Sequence, residues 1–91
     1  MERLEDAIDM LSRLVAFDTV SSKSNLPLID FVESYLRQQD VRFVRAPNAS
    51  GDKAALFVTI GPDVDGGVLL SGHTDVVPVA GQSWSADPFT L

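Results

Sequence analysis

Near residue 40 the hydrophobic period of this chain changes from the three-to-four spacing of a helix to the alternation of a strand, and that change limits it to a mixed α/β fold. Upstream, Leu4, Ala7, Ile8, Leu11, Leu14 and Val15 make one apolar stripe at helical spacing, which predicts a helix over 2–17. Its acids Glu2, Glu5, Asp6 and Asp9 lie toward the start, where the helix dipole favours negative charge and no ligand is needed to explain them. The run Asp18-Thr19-Val20-Ser21-Ser22 breaks the pattern, and Asp18, Thr19 and Ser21 read as residues closing the first helix. A second helix begins with Asn25 as N-cap and Pro27 in its first turn. It carries Leu28, Ile29, Val32, Tyr35 and Leu36 on one face and ends at Asp40. Both stripes are expected to be core.

Downstream, 41–45 alternates apolar residues with Arg42 and Arg45, which predicts a half-exposed strand. The segment 47–52, Pro-Asn-Ala-Ser-Gly-Asp, has the composition of a turn. The β-forming run 54–60 follows as a second strand, and 61–67 is a loop holding Asp63 and Asp65 as solvated turn residues. Val68-Leu69-Leu70, bounded by glycines, suits a third, buried strand. Residues 73–91 have no helical or strand period, and a loop of that length is usually functional. The order is helix, helix, strand, strand, strand, loop, as in part of an α/β layered domain. Such a piece would leave a sheet edge unpaired.

Charge and composition remove several classes of function. The net charge is −6, and the seven Lys and Arg residues are scattered, which argues against nucleic acid. With no cysteine, disulfides and thiolate metal sites are excluded. The start, Met1-Glu2-Arg3-Leu4-Glu5, has no apolar signal core, and no apolar run reaches membrane-spanning length. The expectation is a soluble cytoplasmic protein. A hydrophobic content of 45% is ordinary for a folded domain and argues against disorder.

The segment that carries chemistry is Ser71-Gly72-His73-Thr74-Asp75-Val76-Val77-Pro78. His73 follows a buried strand, and open α/β sheets collect ligands at the carboxyl ends of their strands. Gly72 would let the backbone approach closely or turn tightly. Asp75, two residues on, can hydrogen-bond one imidazole nitrogen and leave the other for a metal. Neutral imidazole suits zinc, and zinc activates water for hydrolysis. A strand-end histidine with a turn-starting aspartate gives the same pattern, and spacing alone does not separate the two. Trp84 reads as a packing anchor, Asp87 before Pro88 as the start of a turn, and Gln82 and Ser83 as polar loop residues.

Gly72-His73-Thr74-Asp75-Val76-Val77-Pro78, followed by Trp84 and Asp87-Pro88-Phe89, resembles the first metal-binding segment of the M20 metallopeptidases. The stretches 14–21 and 25–30 resemble their opening helices, and 71–91 is most similar to their acetylornithine-deacetylating branch. The resemblance implies that residues 1–91 are a partial catalytic domain of zinc-peptidase-like α/β fold, lacking the dimerisation domain. It implies His73 as a zinc ligand, and Asp75 as the active-site carboxylate that supports it. It further implies two zinc ions, with cobalt as a substitute, and a glutamate general base. The substrate would be an N-acylated amino acid, cleaved in a step of arginine biosynthesis, and the whole enzyme a homodimer. The remaining ligands and the base lie downstream of the matched segment, so the 91 residues alone are expected to be inactive. Related substrates implied by the same segment are succinyl-diaminopimelate and peptides. A non-catalytic structural fragment is the other expectation.

Overall fold

The structure, a computed structural model, describes residues 2–91. Helix α1 spans Glu2–Val15 and α2 spans Leu26–Gln38; strands β1 (Arg42–Pro47) and β2 (Ala54–Thr59) pair antiparallel, with Arg42 opposite Thr59 and Pro47 opposite Ala54. The core is small. Leu28 and Ile29 of α2 bury against Ala54 of β2, with Leu14, Phe17, Leu26, Val32 and Leu56 around them. Phe17 and Phe31 stack at a tilt, 5.6 Å between centroids.

Helix α2 is fastened to the hairpin at its start and along its length. Asn25 sits at the N-cap position, but its side chain makes no capping bond. It turns to the sheet, donating to the Ala54 carbonyl (2.9 Å) and accepting from the Ala54 amide (3.0 Å). Ser24 Oγ accepts from the Leu26 amide in its place. At the other end Asp40 takes a left-handed conformation (φ 56°). The Asp40 amide then reaches the Arg37 carbonyl and the Val41 amide the Leu36 carbonyl, the pattern that stops a helix in one residue. Along the same helix Glu33 is buried, and its carboxylate is met by Arg45 of β1 at 3.1 Å. Arg45 also pairs with exposed Asp30 at 3.0 Å, and these acidic partners, Asp30 first, raise its already high pKa.

The hairpin turn is organised by Asn48. Its Oδ1 accepts from the Gly51 and Lys53 amides, and its Nδ2 donates to Ser50 and Asp52. Gly51 has φ 77°, which a residue without Cβ adopts at no steric cost.

Two expectations fail. Val68–Leu70 forms no strand; Val68 and Leu70 are 88% and 89% exposed. A fully apolar strand is stable only when both faces are covered, and nothing among the described residues covers these. The α1 stripe is only partly core. Leu4, Ile8 and Leu11 are exposed, and the helix joins the core through Leu14 at its end. From residue 61 onward the chain is irregular apart from one bridge at Val76. No helix among the described residues is long and apolar enough to cross a membrane.

Candidate functional site

The irregular 73–76 segment is held in place by the turn after α1. Val20 and Val76 form an isolated parallel bridge. The Val76 amide donates to the Thr19 carbonyl and the Ser21 amide to the Val76 carbonyl, each at 3.0 Å. Thr19 Oγ1 donates to the Thr74 carbonyl at 2.5 Å, and Ser21 Oγ donates to Asp75 Oδ2 at 2.9 Å. Thr19 and Val20 are buried, so this small seam excludes water where the partners meet. Lys53, just before β2, adds a hydrogen bond from its ammonium to the Ser21 carbonyl. Thr19 and Ser21 therefore do not close α1; they clamp the segment that carries His73. Asp18 keeps the local role, accepting from the Val20 amide and pairing with Lys23.

Within that frame His73 and Asp75 meet as the spacing predicts. His73 Nδ1 lies 3.0 Å from both Asp75 Oδ1 and the Asp75 carbonyl oxygen, so an Nδ1–H donates to one residue twice over. That choice of tautomer follows from the two acceptors. Nε2 has no partner among the described residues, and the side chain is 83% exposed. The Asp75 carboxyl is held below its ordinary value, first by the Ser21 hydroxyl and then by the neighbouring His73 and Lys53, against a smaller opposing effect of burial. Gly72 does not need its glycine here: its φ is not positive, and a Cβ would meet nothing within 4 Å. Neither the close approach nor the tight turn expected at Gly72 is present among the described residues.

Two cavities flank the pair. One, of about 430 Å³, is apolar and lies between the end of α1 and the 76–89 loop, with Leu14, Phe17, Val77, Trp84 and Phe89 in its walls. The other, of about 580 Å³, lies between α2, β2 and the loop and is lined in part by Asn25, Lys53, His73 and Asp75. Trp84 is an anchor, its Nε1 donating to the Val79 carbonyl at 3.1 Å, though half its surface stays exposed. Gln82 donates to the Pro78 carbonyl. Asp87 accepts from the Phe89 amide at 2.9 Å, as a turn-starting aspartate does.

For a metal, the arrangement offers one good donor. Nε2 of His73 faces out with its ring oriented through Nδ1, the way metal-binding imidazoles are set. Among the described residues no three His, Cys, Asp or Glu side chains come together, and zinc sites take three or four protein ligands. The residues present fit one ligand and its supporting carboxylate, and do not make a complete site. Thr19, Ser21 and Lys53 are what sequence reasoning missed. The apolar Val20 flanked by hydroxyl residues was a short two-residue alternation, but nothing in the sequence pointed to a partner 54 or 55 residues away.

Comparison with known proteins gives one consistent result. The whole chain aligns with the acetylornithine deacetylase of Pasteurella multocida (strain Pm70) at 37% identity. It aligns at 34% over 98% of its length with that of Photorhabdus laumondii, and at 30% over its whole length with that of Buchnera aphidicola subsp. Schizaphis graminum. In each case the chain spans about 25% of the relative, its N-terminal part. No family model and no solved structure matches.

Proposed function

This chain is similar over its whole length to the N-terminal part of the acetylornithine deacetylases, which are hydrolases, and from that premise we propose that it is the opening portion of a metal-dependent amide hydrolase. The reaction is hydrolysis of N-acetyl-L-ornithine to L-ornithine and acetate. One observation carries the reading: in a chain with that likeness, the single histidine is oriented through Nδ1 by a carboxylate two residues on and turns a free Nε2 outward.

The geometry supports the following roles. His73 gives one ligand through Nε2. Asp75 fixes the ring and, being anionic, strengthens the imidazole as a donor. Thr19 and Ser21 hold the loop from the far side, so His73 stands on a tethered rather than a free segment. A bound zinc ion would supply Lewis-acid polarisation of water and of the amide carbonyl. The other ligands and the general base belong to parts of the protein outside these 91 residues, so the chain alone binds zinc weakly and does not turn over substrate. In this reading residues 1–91 are part of one catalytic domain, and the whole protein works as a dimer in the cytoplasm.

The test is hydrolysis of N-acetylornithine, with added zinc or cobalt, by the full-length gene product and by the 91-residue chain. Activity in the full-length protein alone, abolished by His73→Ala together with loss of at least one metal, is the expected result. Full activity and metal content in that variant would overturn the assignment of His73. Hydrolysis of succinyl-diaminopimelate or a dipeptide in place of N-acetylornithine would overturn the substrate and leave the hydrolase.

A further inference from the structure

We propose that Ser21 is the positioning residue of the His73–Asp75 pair: its hydroxyl holds Asp75 Oδ2 and turns Oδ1 toward His73 Nδ1, adding a charged acceptor to the Asp75 carbonyl and so fixing the proton on that nitrogen. Packing cannot do this. The two side chains are 83% and 57% exposed, so no wall of atoms limits their rotation. A carboxylate's terminal torsion is broad, and hydrogen bonds must set it. Asp75 has two side-chain partners among the described residues, His73 on Oδ1 and Ser21 on Oδ2.

Ser21 is the rigid member of the three. Its amide and the Val76 amide close the parallel bridge, and its neighbours Thr19 and Val20 are buried. Lys53 bonds its carbonyl from the side of β2. The Ser21 hydroxyl has one proton and two acceptors in range, Asp75 Oδ2 at 2.9 Å and the Val76 carbonyl at 3.2 Å. The nearer acceptor is charged and takes it, since charge-assisted hydrogen bonds are the stronger. Asp75 is thereby pinned at one oxygen and presents the other to Nδ1 beside its own carbonyl, also 3.0 Å away, and the two acceptors together leave Nε2 unprotonated. The orientation stands on this geometry alone. Its use in the reaction rests on the reading of His73 as a metal ligand.

The chain contains one histidine, so the side-chain nitrogen spectrum of the ¹⁵N-labelled, tag-free protein reports this ring and no other. Recorded well above the ordinary imidazole range, wild type should show a protonated Nδ1 and an unprotonated Nε2. Ser21→Ala, with its backbone amide spectrum otherwise intact, should bring the two nitrogen shifts toward a common average, as for a ring exchanging tautomers. Ser21→Ala with the wild-type pattern, or wild type with the proton on Nε2, would overturn the proposal. Should Ser21→Ala fail to fold, Ser21→Thr and Ser21→Val decide it, because they share a shape and differ in the hydroxyl. Thr keeping the pattern while Val loses it supports the proposal; both behaving alike overturns it. Zinc binding by the full-length protein is measured separately, so a failure of the metal reading and a failure of Ser21 give different results.

Discussion

At the scale of single residues, the turns that frame the site depend on carboxylates remaining charged. Asp18 is held below its ordinary value of 3.8, first by Lys23 and then by the Val20 amide. Asp52 is lowered by Asn48 and then Ser50. A carboxyl whose pKa is depressed by folding stabilises the fold fully above its unfolded value and loses that contribution as pH falls through the folded one. The turn at 18–23 and the loop at 48–53 are therefore expected to hold from neutral pH down to 3.8 and to loosen only below it. Backbone amide shifts of Val20 and Gly51 followed through an acid titration check this; a midpoint at or above 3.8 would contradict it. Of the residues around the site, His73 and Asp75 could be singled out because both halves of that contact are two positions apart. Thr19, Ser21 and Lys53 could not, because their value comes from what the tertiary fold places opposite them.

At the scale of elements, α2 and the hairpin were legible for a reason the structure makes plain. Each carries its own stop signals, and each finds its partner within a few turns of chain. The third strand failed because its signal, three apolar residues between glycines, describes an element that needs neighbours on both faces. Asn25 shows a finer limit: an N-cap residue was expected, and the position was right, but its side chain serves Ala54 of the sheet. The stop of α2 is also improvable. Asp40 occupies a left-handed position that glycine takes without strain. Asp40→Gly is expected to stabilise the chain by about 0.5–1 kcal/mol, the steric relief exceeding the added flexibility of the unfolded chain. Urea unfolding should show a higher midpoint at unchanged slope, and an unchanged or lower midpoint would mean that Asp40 makes a compensating interaction.

At the scale of the whole molecule, surface area separates this chain from a self-contained domain. Its accessible surface is 7309 Å². A compact monomer of 9.8 kDa would expose about 5200 Å². Its radius of gyration, 15.3 Å, likewise exceeds the roughly 12 Å of a compact 91-residue chain. Large apolar side chains contribute to it: Phe57 on β2, Ile60, Leu69 and Leu70 beyond the hairpin, and Leu4, Ile8 and Leu11 along α1 stand exposed. Surfaces of that kind are covered in a finished protein. In the proposed reading the remaining three quarters of a deacetylase-length chain cover them. The 91-residue chain on its own is then expected to self-associate in sedimentation and to light up an apolar dye, while the full-length protein leaves the dye dark. A monomeric, dye-silent 91-residue chain would show that these side chains find cover within the chain itself.

The seam between Thr19–Ser21 and Thr74–Val76 has a kinetic meaning as well. Its hydrogen bonds join residues 54 to 57 apart, whereas the hairpin closes through a six-residue turn, 48–53. Long closures form slowly, because the chain between them must be ordered before the contact rewards it. The histidine loop is thus expected to assemble after the hairpin and, with only a few bonds across the seam, to open before it. In the proposed reading, a divalent ion gripping His73 from other parts of the protein would act as a latch on that late step, coupling the completion of folding to the arrival of the metal.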